Sequence, residues 1–189
     1  MANQDSPFGL RAIGKIGQNR DNQGLAEFSI AASATAIYGQ DPVKALATGT
    51  IGVAGAGDTL LGSLNGVFFT AADTSKPTFA NHLNASNTAT DIVGFVSSDP
   101  YERFEIQSDN TTASAQTDVF MNYDITYAAG SSHDYLSGVE LDDSTTSTAS
   151  GQLRVVGVSK DIKNNDLTAS HVNFVVMINE HFLKGTAGV

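Results

Sequence analysis

The sequence predicts an all-β chain: a single-domain β-barrel or sandwich over residues 25–189, preceded by an extended N-terminal arm over residues 1–24. Three observations carry that expectation. Charged residues make up only 16% of the chain while Ala, Gly, Ser, Thr and Asn abound, unlike the Leu/Glu/Lys-rich composition of helical proteins. Short apolar runs recur between turn residues at the spacing of strands. The helices that a parallel βαβ architecture needs between its strands are missing. A chain of 189 residues suits one domain, burying roughly two-thirds or more of its unfolded surface.

Taken in order, Met1 to Gly24 holds Gly9, Gly14, Gly17 and Gly24 with few apolar anchors, which favours an extended arm ordered by a partner surface. From Glu27 onward, Phe28-Ser29-Ile30, Ala36-Ile37-Tyr38, Val43 after Asp41-Pro42, and Ile51-Gly52-Val53 read as short strands. Leu60 to Thr70 is apolar but broken by Gly62 and Gly66, the mark of a bent strand or hairpin. Asp91 to Ser97 and Leu153 to Ser159 are similar runs. In Arg103-Phe104-Glu105-Ile106-Gln107, Phe104 and Ile106 face one way and the polar residues face the other, which predicts one solvated face. Val172, Phe174, Val176 and Ile178 share a face of a β-branched run that reads as a central strand. Together these segments give about nine to twelve strands. A turn or two of helix fits Ala113 to Phe120, with Thr111 or Thr112 as cap. Leu141 to Gly151, with Asp142-Asp143 and a Ser/Thr run, predicts an exposed, mobile loop.

Composition excludes several function classes. The chain has no cysteine, so thiol nucleophiles, thiolate metal sites and disulfides are out. A net charge of −10 argues against nucleic acid as a partner, because phosphate binding relies on clustered Lys and Arg. No apolar run approaches the ~20 residues that span a bilayer, and Met1 to Leu10 lacks the order of a signal peptide. The expectation is a chain made in the cytosol, without a membrane partner. Charge is uneven: Met1 to Arg20 carries Arg11, Lys15 and Arg20 against the single Asp5, so the negative charge lies in the remainder.

No catalytic constellation stands out. His82, His133, His171 and His181 lack the i, i+2 or i, i+4 pairing that sets two imidazoles on one metal, and they read as surface or interface histidines. No Gly-x-Ser-x-Gly elbow occurs, and Gly55-Ala56-Gly57-Asp58 reads as a turn rather than a dinucleotide loop. Residues 104 to 153 hold eight acidic side chains and no Lys or Arg. Asp134, Glu140, Asp142 and Asp143 are candidate ligands for a hard cation such as calcium, yet their spacing lacks the ordered pattern of a calcium loop. A solvated acidic face is the preferred reading, with no metal and no cofactor. Asn84-Ala85-Ser86 and Asn110-Thr111-Thr112 match the glycosylation acceptor and read as ordinary turns.

Several short phrases stand in order along the chain: Pro7-Phe8-Gly9-Leu10, Ile37-Tyr38 with Gln40-Asp41-Pro42-Val43, Gly57-Asp58-Thr59-Leu60-Leu61-Gly62, and Asp99-Pro100 before Phe104-Glu105-Ile106-Gln107. Leu153-Arg154-Val155-Val156-Gly157 and Val175-Val176-Met177-Ile178-Asn179-Glu180-His181 complete the set. Together they resemble the cement, or decoration, proteins on capsids of tailed bacteriophages, particularly those of marine and freshwater bacteria. The resemblance implies a β-barrel or sandwich that assembles as a homotrimer on the capsid exterior. There it would bind the major capsid protein at three-fold or pseudo-three-fold positions and lock coat subunits against internal pressure. A basic arm can lie across an acidic coat surface, with symmetry multiplying weak contacts, which makes Phe8, Leu10, Arg11, Lys15 and Arg20 the expected capsid or oligomer contacts. Another phage structural subunit, such as a tail-tube or head-fibre protein, is the nearest rival. A carbohydrate-binding or calcium-stabilised adhesion module is a second, against which stands the absence of tryptophan for stacking on sugars. An enzyme has the least support, since no nucleophile has a base at a recognisable spacing.

Overall fold

The computed structural model describes residues 3–16, 24–109, 114–185 and 188–189. Within them the chain is all-β. In chain order the strands are β1 (Arg11–Lys15), β2 (Ala26–Ser29), β3 (Pro42–Ala45), β4 (Ile51–Val53), β5 (Gly62–Thr70) and β6 (Pro77–Ala80). They continue as β7 (Val93–Ser97), β8 (Glu102–Gln107), β9 (Asn122–Thr126), β10 (Glu140–Ser147), β11 (Leu153–Val158) and β12 (Asn173–Ile178). One antiparallel sheet runs β1-β8-β12-β11-β9-β10; the other runs β2-β7-β5-β3-β4, with β6 also pairing β5. The N-terminal strand therefore belongs to the sheet built by the C-terminal half, while the second sheet is made from the residues between them.

Period-two patterning explains the individual strands. On β12, Phe174, Val176 and Ile178 are buried on one face, and the strand sits inside its sheet between β8 and β11, as its β-branched content predicts. On β5, the register slips between Leu64 and Gly66, so Asn65 is the extra residue of a bulge and the strand bends there. A single parallel bridge then joins Ser108, just past β8, to Leu141 of β10, and another joins Ile30, just past β2, to Ile51 of β4. The second sheet thus curves until its two edge strands touch and the first until β10 reaches the end of β8, but neither is closed by continuous pairing. The barrel-or-sandwich expectation resolves into two bent sheets, each around its own apolar cluster. Phe104, Ile106, Ile125, Val155, Phe174 and Val176 lead the first cluster; Ile37, Val43, Leu64, Val67 and Val96 lead the second. Fully burying side chains of this kind contributes roughly 1.5–3 kcal/mol each.

The clusters meet at a junction. Leu60, in the first cluster, donates its N–H to Glu180 at 2.9 Å and accepts from Phe182 at 2.8 Å, while Phe182 packs against the second cluster. The amide of Gln152 donates to the carbonyls of Gly55 and Asp58, closing the turn expected there. Asp58 Oδ2 accepts the Gly55 N–H at 2.8 Å within that turn.

Three expectations are corrected. Residues 141–147 are not a loop but most of β10, which pairs β9 through Leu141 and Ile125. Leu141 is fully buried and backbone pairing needs few further apolar side chains, so only the tip, Thr148 to Ser150, is an exposed connection. The polar face of β8 is not solvated, because Glu105 and Gln107 are buried beneath the N-terminal segment. In the region 113–120 the described residues form only a 3-10 turn at Gln116–Asp118, with Asp118 accepting from the Ala115 N–H; Thr111, Thr112 and Ala113 lie outside the described residues.

Candidate interaction surface

The N-terminal segment lies on the chain's own sheet. Asn3 exchanges hydrogen bonds with Asp166, its Nδ2 donating to the carbonyl and its Oδ1 accepting from the N–H. Gln4 makes the same reciprocal pair with the side chain of Asn164. Gln107 Oε1 accepts the Ser6 N–H at 2.8 Å, and its Nε2 donates to the Gln4 carbonyl at 3.0 Å and to Asn173 Oδ1 at 3.2 Å. Backbone groups satisfied by buried side-chain amides give residues 4–6 a fixed path ahead of β1. Gly9, at φ 74°, turns the chain inward, where a Cβ would stand 2.4 Å from both the Gln40 carbonyl oxygen and Ser137 Cβ. Leu10 then enters the first cluster fully buried; its N–H donates to Gln40 and its carbonyl accepts from Ser63 Oγ at 2.6 Å.

The expected contact residues are thereby placed. Leu10 is fully buried, so its side chain is a core anchor and offers no outer surface. Arg11 ion-pairs with the buried Glu105, which Ser159 Oγ also serves as a donor, and its guanidinium lies 4.5 Å from the centre of the Phe8 ring. Lys15 pairs with Asp99 at 2.6 Å. Two cations of the basic segment are thus engaged by the chain's own carboxylates, and residues 3–16 are held by contacts within this domain. Arg20 lies outside the described residues.

A second surface was not read from the sequence. On the outer face of the second sheet, the Phe79 ring on edge strand β6 stands 4.8 Å from Phe68 and 6.2 Å from Phe95, centre to centre. Phe79 is 73% exposed. A groove of about 410 Å³ beside it is lined by Leu25, Asn65, Val67, Phe79, Asn81 and Phe95. One signal was available: Phe68 and Phe69 are adjacent in a strand and must point to opposite faces, so one of them had to face outward. Phe69 packs against the second cluster and Phe68 takes the outer face.

The ionisable groups divide between surface and interior. Asp134 and Asp142 cap turns, accepting from the N–H groups of Leu136 and Ser144, and do not converge with Glu140. Glu140 instead lies with Asp5 and His171, their ligand atoms all within 4.8 Å of one another. Burial, and then the nearby Asp5, Asp109 and Asp143, push the Glu140 carboxyl up to about 7. Of the histidines, His82 stacks on Tyr135 at 3.8 Å and is half-buried, and His133 is exposed. His181 corrects the surface reading: it is 2% exposed at the junction, and its Nδ1 accepts from the Leu183 N–H at 3.1 Å. Burial lowers it to about 4. Asp41 is fully buried, and desolvation raises it to about 6 against the opposing hydrogen bonds from Ser137 and Tyr38.

What this arrangement offers chemically is recognition: an ordered N-terminal segment with Arg11 still half exposed, and an open aromatic face. Neither a family model, nor a curated protein, nor a solved structure matches this chain.

Proposed function

We propose that the chain is a virion structural protein: a cement protein that binds the major capsid protein on the outside of a tailed-phage shell. As a homotrimer at three-fold or pseudo-three-fold positions, it would tie neighbouring coat subunits together. The observation that carries the reading is the exposed Phe79, set in a row with Phe68 and Phe95 on the outer face of the second sheet. A contiguous aromatic patch on a water-facing sheet suits a protein interface, where buried aromatic anchors contribute most of the binding energy. The end-to-end resemblance of the strand and turn phrases supports the capsid as the partner. Because Arg11 and Lys15 are paired internally, the aromatic face replaces the basic segment as the expected main contact.

Co-sedimentation with mature shells lacking the protein tests this. Saturable binding in multiples of three per local symmetry site, lost in Phe79→Ser while that variant remains folded, is the expected result. Failure of the wild-type chain to bind, or rings and filaments formed by the chain alone, points to a tail-tube or fibre subunit instead.

A further inference from the structure

We propose that Asp5, Glu140 and His171 form a binding site for a transition-metal dication, with Zn²⁺ as its probe, and that the bound ion fastens the N-terminal segment to the first sheet. The three ligands come from three separate places: the N-terminal segment, the start of β10, and the turn before β12. They are a mixed set, two carboxylates and one imidazole, all of which Zn²⁺ and Mn²⁺ accept, whereas calcium takes oxygen ligands and disfavours the imidazole.

The second observation is independent of charge. Glu140 Oε1 and His171 Nδ1 are both buried atoms with no hydrogen-bond partner. Burying an acceptor or donor unpaired is costly, so unpartnered atoms on two residues of one cluster call for a common partner. His171 Nδ1 stands 3.9 Å from Asp5 Oδ1, beyond hydrogen-bonding reach. Ligand atoms bound at roughly 2.0–2.2 Å around a tetrahedral ion lie about 3.5 Å apart, so the cluster needs to contract by up to about 1.3 Å. The exposed Asp5 can supply that movement by changing rotamer. The His171 backbone is already fixed, because its carbonyl accepts from Asn164 Nδ2 at 2.8 Å, and the same Asn164 also holds Gln4. Asp109 and Asp143 add negative charge around Glu140, which a dication neutralises and a proton offsets only in part.

The test is calorimetric titration of the full chain, stripped with chelator, with Zn²⁺, Mg²⁺ and Ca²⁺ in parallel, together with thermal unfolding and hydrogen exchange of residues 3–16. One equivalent of Zn²⁺ per chain is expected, with a higher Tm and slower exchange in the segment, and with Mg²⁺ and Ca²⁺ at least about ten-fold weaker. His171→Ala and Asp5→Asn should each weaken Zn²⁺ binding by about ten-fold or more while matching the wild-type Tm in chelator. His133→Ala should bind as the wild type does, since that residue lies outside the cluster. Absence of Zn²⁺ binding, or binding that survives both ligand substitutions, overturns the proposal and leaves His171 and Asp5 as a simple ion pair.

Discussion

Arg11 on β1 stands directly opposite Glu105 on β8, and its guanidinium is the cation that accompanies this otherwise buried carboxylate. Glu105 is also held by Ser159, so it keeps one partner when the other is removed. Arg11→Ala should therefore destabilise the chain by about 1–3 kcal/mol, since an interior carboxylate loses its counter-charge but not all its hydrogen bonds. Urea unfolding at pH 7 measures it. An unchanged midpoint would mean that water replaces the guanidinium without loss.

Anchoring of the N-terminal segment rests on Gly9 and Leu10 in sequence. Leu10→Ala removes a fully buried side chain and should cost about 2–5 kcal/mol. Gly9→Ala combines a left-handed backbone with contacts of 2.4 Å, and should cost at least about 1–3 kcal/mol. Thermal denaturation of both variants checks this, and a Gly9→Ala chain as stable as wild type would show that the turn at residue 9 can be rebuilt.

Gln107 offers a cleaner way to loosen the same segment. Gln107→Leu keeps the volume but removes the acceptor for the Ser6 N–H and the donor to the Gln4 carbonyl. Amide exchange across residues 3–8 should accelerate while exchange on β12 stays slow. Equal acceleration in both regions would assign Gln107 to global stability.

Stability should depend on pH in two opposing ways. Asp41, raised in the fold to about 6, contributes stability that is fully present below its unfolded value near 3.8 and is lost as pH rises through 6. His181, lowered to about 4, contributes stability that is present above its unfolded value near 6.5 and is lost as pH falls toward 4. Glu140, raised to about 7, adds to the Asp41 slope, so between pH 4 and 6 His181 offsets only part of the loss. Asp41→Asn removes the Asp41 slope. Its stability relative to wild type should improve on going from pH 4 to pH 8, by an amount of order 3 kcal/mol. Denaturation midpoints across that range give the answer, and a constant difference would show that Asp41 is not the titrating group.

Much of the strand pattern was legible because it depends on local alternation. Val172 to Ile178 and Phe104-Glu105-Ile106 show which side chains enter a core, and both do so. What alternation cannot show is what covers the other face. Glu105 and Gln107 look like solvent-facing residues from their neighbours, but residues 3–11, about a hundred positions away, lie against them. The same limit applies to the surfaces. Asp134 and Asp142 lie close to Glu140 in sequence but cap turns of their own, whereas Asp5, Glu140 and His171 are distant in sequence and meet. Phe68, Phe79 and Phe95 sit on three strands whose order no local pattern specifies.

The placement of β1 beside β8 also sets an order of events. Arg11 is translated 94 residues before Glu105, while the strands of the second sheet all lie between them. That sheet can pair within itself as it emerges, but the first strand must wait, unpaired, until its neighbour has been made. β1 thus precedes every other strand of its sheet in sequence, yet it can take its place only after the whole of the second sheet has been made.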